Sequence, residues 1–439
     1  MKLITLFFCS LFLIPSAKAD KTSRLAVPHS GSGQLSLGEV IRIVREQNPA
    51  IQESLKKWSA MKARVPQAAA WADLKISASS TAVRFVDIGP NSFTDQILSA
   101  EQLIPISGKN RSRERIAAAE AISAFEEFRR QELDVIAKTR AAYFRLENVW
   151  AQLDLNRKNI VSLRQIAEIS RSKYEVGNQT AADVLNAEVE SGKLLEAQRD
   201  LEQKVAAEQS ALNVLMNHDA FAPLGQPEGS EISSIALSTN ALRALILANR
   251  PEIKIAQARF AAEKSRLELA HRDWIPDPTL TVQGQRYNNT GQALSEVGAG
   301  ISFNIPWGNF RKYSAGVRET ESNVNAAQQA LSRTQKESIG LLRDAMQKVE
   351  TASHHVELFR EKLVPQAKQA FEANQFSYES GKAGFLEWIS AQRNFRDIEA
   401  MAHQHLADYQ VAVAELESVV GADLKVFPSS TQSFEQKSK

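Results

Sequence analysis

Cysteine is almost missing from this 439-residue chain: the only one, Cys9, lies in the first ten residues. It follows Phe8, where a lipoprotein signal would need a small residue, so neither a lipid anchor nor a disulfide is expected. Stability must come from packing alone, even in an oxidising compartment. Excess charge is missing too. The 53 basic and 51 acidic residues leave +2, and Lys2 and Lys18 fall within an N-terminal segment that reads as a removable signal. A neutral mature chain argues against nucleic acid as the partner, which needs a basic footprint. Long apolar runs are absent after that signal, so no transmembrane helix is expected. A membrane role would have to rest on strands. Catalytic signatures are also lacking: there is no nucleophile elbow, phosphate loop, dinucleotide fingerprint, HExxH or cysteine cluster. No enzyme activity, catalytic residue, cofactor or metal site is expected. His354 and His355 are adjacent, which on a helix turns them about 100° apart. His403 and His405 are similarly mismatched, and all four read as surface histidines.

The signal itself has a charged start at Lys2, an apolar stretch from Leu3 to Ile14 and a small-x-small site at Ala17-Lys18-Ala19. The mature chain is expected to begin at Asp20. Beyond it the chain is duplicated. Asn48-Pro49-Ala50-Ile51 recurs as Arg250-Pro251-Glu252-Ile253, Trp71 as Trp274, Ile104-Pro105 as Ile305-Pro306, and Tyr174-Glu175-Val176-Gly177 as Tyr378-Glu379-Ser380-Gly381. Landmarks in one order at a spacing of about 200 residues mark an internal repeat. The expected organisation is a signal (1–19), a first repeat (20–220), a linker (221–237), a second repeat (238–421) and a polar tail (422–439).

Each repeat reads as helix, strand, strand, long helix, turn, helix. Ser36 with Glu39 offers a capping box for a helix running to about Ala70. From Ser107 to Tyr174 there is no proline and Gly108 is the only glycine. Tyr143, Leu146, Trp150, Leu153, Ile160 and Leu163 recur at three- and four-residue steps, the seam of a coiled coil. That helix would be about 100 Å long at about 1.5 Å per residue. The helices over Ser36–Ala70 and Ala181–Met216, stacked end to end, would match it.

Strand patterns lie between the helices. Val297, Ala299, Ile301, Phe303 and Ile305 alternate with Gly298, Gly300, Ser302 and Asn304, apolar on one face and polar on the other as in a transmembrane barrel. Thr279–Gln283 alternates likewise, with a polar loop at Asn288–Gly291. A first hairpin, about Leu74–Val86 and Phe93–Ile104, alternates less cleanly. Trp71, Trp274 and Trp307 flank the strands, which suits an aromatic belt. Two sheets capping a soluble bundle are the bland alternative. Four strands cannot close a membrane barrel, so copies must associate to bury the edges. Two chains would supply eight strands and three would supply twelve, and the spacing does not choose between them. Pro365 falls inside the second long helix, where Val161 is its counterpart, and suggests a hinge or a fixed kink. Gly177-Asn178 and Gly381-Lys382 mark the hairpin tips, where reversing a helix favours residues that accept positive φ.

The chain resembles the TolC-like outer-membrane efflux family over nearly all of its mature length. The resemblance is carried by Ser36-Leu37-Gly38-Glu39 leading to Asn48-Pro49, by Ile305-Pro306-Trp307-Gly308, and by the tips Tyr174–Asp183 and Tyr378–Glu387. Leu363–Gln366 through Ala414–Leu416 is most similar to its heavy-metal efflux branch. The resemblance implies a mainly α fold with a small β part: a long coiled-coil helical barrel, with four strands per chain entering a twelve-stranded barrel of a homotrimer in the outer-membrane lipid. It further implies a passive exit duct reaching into the periplasm for small solutes such as metal ions or drugs. An inner-membrane pump would deliver them through a periplasmic adaptor. A type I protein-secretion duct and a soluble periplasmic scaffold are the alternatives. Segments around Asp20–Leu35, Asn217–Leu237 and Ala422–Lys439 would form a girdle around the tunnel. By the same resemblance, Tyr378 and Asp183 would hold the inner end closed and Glu387 would form an acidic ring. Ser390 and Ala383 stand where a second acid and a gating arginine would be, which weakens that gate.

Overall fold

The computed structural model describes residues 34–82, 93–177, 180–229, 238–287 and 294–424. The signal, Asn178, the Asn288–Gly291 loop and most of the polar tail lie outside the described residues. The first repeat contains α1 (Leu37–Gln47), α2 (Pro49–Ala69), β1 (Lys75–Ala82), β2 (Phe93–Leu103), α3 (Lys109–Glu175) and α4 (Ala181–Leu215). The second contains α5 (Thr239–Asn249), α6 (Pro251–Arg272), β3 (Pro278–Tyr287), β4 (Leu294–Phe303), α7 (Phe310–Leu358), α8 (Val364–Glu379) and α9 (Phe385–Val420).

The 67 residues of α3 make a rod of about 100 Å. Trp58 of α2 packs on Phe125 and Phe128 in its first half, and Asn156 in its second half donates to Leu194 O of α4 at 3.0 Å. Two shorter helices thus lie along one long one. The expected seam is its buried face: Tyr143, Leu146, Leu153, Ile160 and Leu163 are buried, and Trp150 packs against the cluster of Tyr143, Leu146 and Leu153.

Two details correct the sequence reading. A single helix over Ser36–Ala70 is broken at Asn48, because a residue before proline is pushed out of the helical region. Asn48 is extended (φ −63°, ψ 124°), and its Oδ1 accepts the amides of Ala50 and Ile51 to cap α2. Its Nδ2 donates to Leu215 O at the end of α4, 2.8 Å away. Arg250 is likewise extended before Pro251 but makes no side-chain cap; its guanidinium donates to Val419 O at 2.7 Å. The other correction is the capping box. Ser36 is the N-cap of α1 but its side chain makes no cap bond. The main chain fixes the entry instead, through a bridge from Leu35 to Pro227 and the Tyr143 hydroxyl, which donates to Leu35 O at 2.7 Å.

Among the described residues, four strands form one antiparallel sheet in the order β1-β2-β3-β4. The β2–β3 ladder joins the two repeats, with Leu98 opposite Gly284. β1 and β4 are the two edges.

Candidate functional site

Register divides the sheet into two chemically distinct faces. Ile76, Leu98, Ala100, Leu280, Val282, Val297, Ala299, Ile301 and Phe303 share one face. Ser77, Ser79, Ser99, Glu101, Thr279, Thr281, Gln283, Gly298, Gly300 and Ser302 share the other. The apolar face lies bare, with Val297 80 % and Ile301 64 % exposed. A monomer in water does not leave so large an apolar sheet uncovered. On the polar face, Lys75 pairs with Glu101 across β1 and β2 at 3.2 Å.

Where the sheet meets the helices, the repeats are clamped together. Asp277 accepts the Ser107 amide and hydroxyl, each at 2.8 Å, and the Lys109 ammonium at 3.1 Å. Arg272 donates to Ser107 O at 2.9 Å. Burial pushes the Asp277 carboxyl up, but Ser107 and Lys109 outweigh it and hold the group below the ordinary carboxylate value. Gly108 turns the chain into α3 with φ +74°, and a Cβ there would strike the Arg272 guanidinium.

At the far end, Gly177 (φ +74°) and Gly381 (φ +76°) reverse the two hairpins with open space around them, the left-handed geometry that favours glycine. Lys382 is exposed. Tyr174 is 49 % exposed, whereas its counterpart Tyr378 is 4 % exposed. Tyr378 stacks on Trp388 with ring centroids 4.4 Å apart, and its hydroxyl is 3.2 Å from Ser170 Oγ. Lys173 donates to Tyr378 O at 3.0 Å and lies 4.0 Å from the ring centroid. Ile160, Leu163, Ala187 and Leu194 of the first repeat close the same cluster. Beside it, buried Glu190 accepts from Arg393 at 3.0 Å and Lys193 at 2.8 Å. Burial pushes the Glu190 carboxyl up, yet those two cations hold it below its ordinary value.

The other residues singled out in the sequence sit as follows. Asp183 closes a capping box with Thr180, whose hydroxyl donates to its carboxylate at 2.9 Å. Glu387 is exposed in the first turn of α9, and Ser390 is exposed further along it. Pro365 does not interrupt an α-helix. One π turn, Phe359–Leu363, precedes it, and Pro365 occupies the first turn of α8, where a missing N–H is harmless. Nothing in the sequence spacing pointed to Ser170, Lys173, Trp388, Glu190 or Arg393.

Along α3, α6 and α7 runs a groove of about 1240 Å³. Its charges are mostly paired: Arg266 donates to Glu120 at 2.6 Å, and Arg130 to Glu127 at 2.6 Å. Among the described residues, no group of three or more His, Cys, Asp or Glu could hold a metal ion, and no helix is long and apolar enough to cross a membrane.

A family described as outer membrane efflux protein matches this chain twice, over residues 40–218 and 242–422, one match for each repeat. The chain belongs to the outer membrane efflux protein family. Two Pseudomonas putida proteins are similar to it: the toluene efflux pump outer membrane protein TtgF and the probable efflux pump outer membrane protein SepC. Each is 27 % identical over 331 residues, covering 73 % of this chain and 67 % of the relative. The solved structure of the transmembrane channel CusC shares the fold, with a TM-score of 0.74 and 14 % identity over 90 % of this chain and 97 % of that one. Family membership places this efflux protein in the outer membrane, extending into the periplasm, as the exit duct of an efflux system.

Proposed function

We propose that three copies of this chain close one channel: β4 of each pairs with β1 of the next in a twelve-stranded barrel, continued inward by a helical tunnel. The observation that carries this is the sheet, with a bare apolar face, a polar face and two open edges. Lipid would cover the first, water in the lumen would wet the second, and only neighbouring chains can satisfy the third. Solutes arrive from an inner-membrane pump through a periplasmic adaptor that docks on the tips at Gly177, Asn178, Gly381 and Lys382. The balanced charges of the groove suit small solutes of either sign, metal ions and drugs among them. Conduction is passive.

The tip cluster is the closed gate in this reading. Tyr378, between Ser170 and Lys173, and the Glu190–Arg393 pair tie the second hairpin to the first. Asp183 and Glu387 join it by resemblance, as a further tie and as an acidic ring, and Pro365 with its π turn is the hinge. The test is planar-bilayer recording of purified trimers. Tyr378→Phe with Asp183→Ala should raise open probability and make cells leaky to large antibiotics. Unchanged conductance at matched trimer yield would refute the gate. Mature chain found in the soluble periplasmic fraction, with no trimer in the membrane, would refute the channel.

A further inference from the structure

Adjacent histidines on one helix diverge, but packing of α7 against α9 joins two that the sequence keeps 50 positions apart. The His355 and His405 rings lie with centroids 4.8 Å apart at 56°. Phe359, one helical turn beyond His355, has its ring centroid 4.6 Å from that of His405. His405 thus packs on the last turn of α7 and on the first residue of the π turn. Its Nδ1 is 4.0 Å from Asp408 Oδ2, beyond a direct hydrogen bond. Asp408 is itself fixed by Gln404, which donates to it at 2.8 Å and accepts from Asn148 at 2.7 Å. The His354 ring lies 6.4 Å from that of His355, and no ring contact joins it to His405 among the described residues.

We propose that His355 and His405 form a binding site for a borderline divalent transition-metal ion of the Zn²⁺ or Cu²⁺ class, tying α7 to α9 just ahead of the π turn. Two imidazoles sharing a tetrahedral ion at about 2 Å from each nitrogen place their ring centroids about 5 Å apart, as here. The two rings supply two ligands, and waters fill the remaining positions. Asp408 lies on the Nδ1 side of the His405 ring, where carboxylates stand beside ligating histidines, and leaves Nε2 for the ion. Both rings are partly open to solvent, which gives the ion a path in. Imidazole donors favour Cu²⁺ over Zn²⁺ and do not take Mg²⁺.

Calorimetric titration of the detergent-purified mature protein, prepared without a polyhistidine tag, tests the site with ZnCl₂, CuCl₂ and MgCl₂. The expected result is one saturable ion per chain, tighter for Cu²⁺ than Zn²⁺ and absent for Mg²⁺. His355→Ala and His405→Ala should each weaken Zn²⁺ binding at least tenfold, while His354→Ala and His271→Ala should not. Electron paramagnetic resonance of the Cu²⁺ form should show two coordinated imidazole nitrogens in the parent and one in each single variant. Where alanine lowers the metal-free melting temperature, His405→Gln replaces it. Zinc bound with parental affinity by a folded His405 variant, or lost equally in His354→Ala, would overturn the site.

Discussion

Tyr174 and Tyr378 occupy the same place in a duplicated motif, and only one is buried. The difference is the company each keeps: Tyr378 faces α3 of the other repeat, with Ser170 and Lys173 in reach. Truncating Tyr378 to alanine should therefore destabilise the tip by about 3 kcal/mol, whereas Tyr378→Phe should remove only about 1 kcal/mol by losing the hydroxyl contact. Tyr174→Ala should change little. Amide exchange over residues 378–389 reads all three. At the opposite end, Asp277 is ionised more readily in the folded chain than in the unfolded one. Its contribution is therefore complete above the ordinary carboxylate value of about 4 and fades as the pH falls through its depressed value. The melting-temperature gap between the parent and Asp277→Asn should be widest near neutrality and should close on acidification. Gly108→Ala, strained by the positive φ, should cost about 1–2 kcal/mol, read in the same melting experiment.

Local pattern made the elements readable. The proline-free stretch and its three- and four-residue apolar steps describe α3 nearly to the residue, and period-two alternation gives β4 its two faces. Those signals lie within one element, where the geometry of a helix or strand maps spacing directly onto a face. Pro365 flagged a disturbance of the helix, but not that a π turn over Phe359–Leu363 would absorb it. The Tyr378 cluster and the His355–His405 pair were not readable for another reason: each joins residues from helices whose relative register no spacing encodes. Among the strands, Ile301→Arg and Phe303→Arg should each impair assembly by about 2–4 kcal/mol if near the bilayer midplane. Ser302→Arg should assemble and change conductance. The reverse order, read by trimer yield in membranes, would mean that the faces are exchanged. Pro365→Ala restores an amide in the first turn of α8. In the hinge reading it should reduce export without reducing trimer yield; unchanged export would leave the π turn a fixed bend.

At the scale of the whole molecule, the chain is a rod with a sheet at one end and two turns at the other. Cross-linkers placed at Asn178 or Lys382 should capture a periplasmic partner in cells, and capture only at Asn48 or Ser238 would argue against docking at the tips. The clamp of Asp277 on Ser107 and Lys109 acts across β2 and β3, within one chain. Counting from the two Ile-Pro landmarks, the second copy has Gly308 and Phe310 where the first has Ser107 and Lys109. It offers neither the hydroxyl nor the ammonium, so the clamp is not repeated where β4 would meet the next chain. In a closed ring of three chains, six seams would then alternate between bolted and unbolted. Such a collar is stiff in pairs of hairpins and compliant between them, so under strain it would deform as a triangle and come apart at its three corners first.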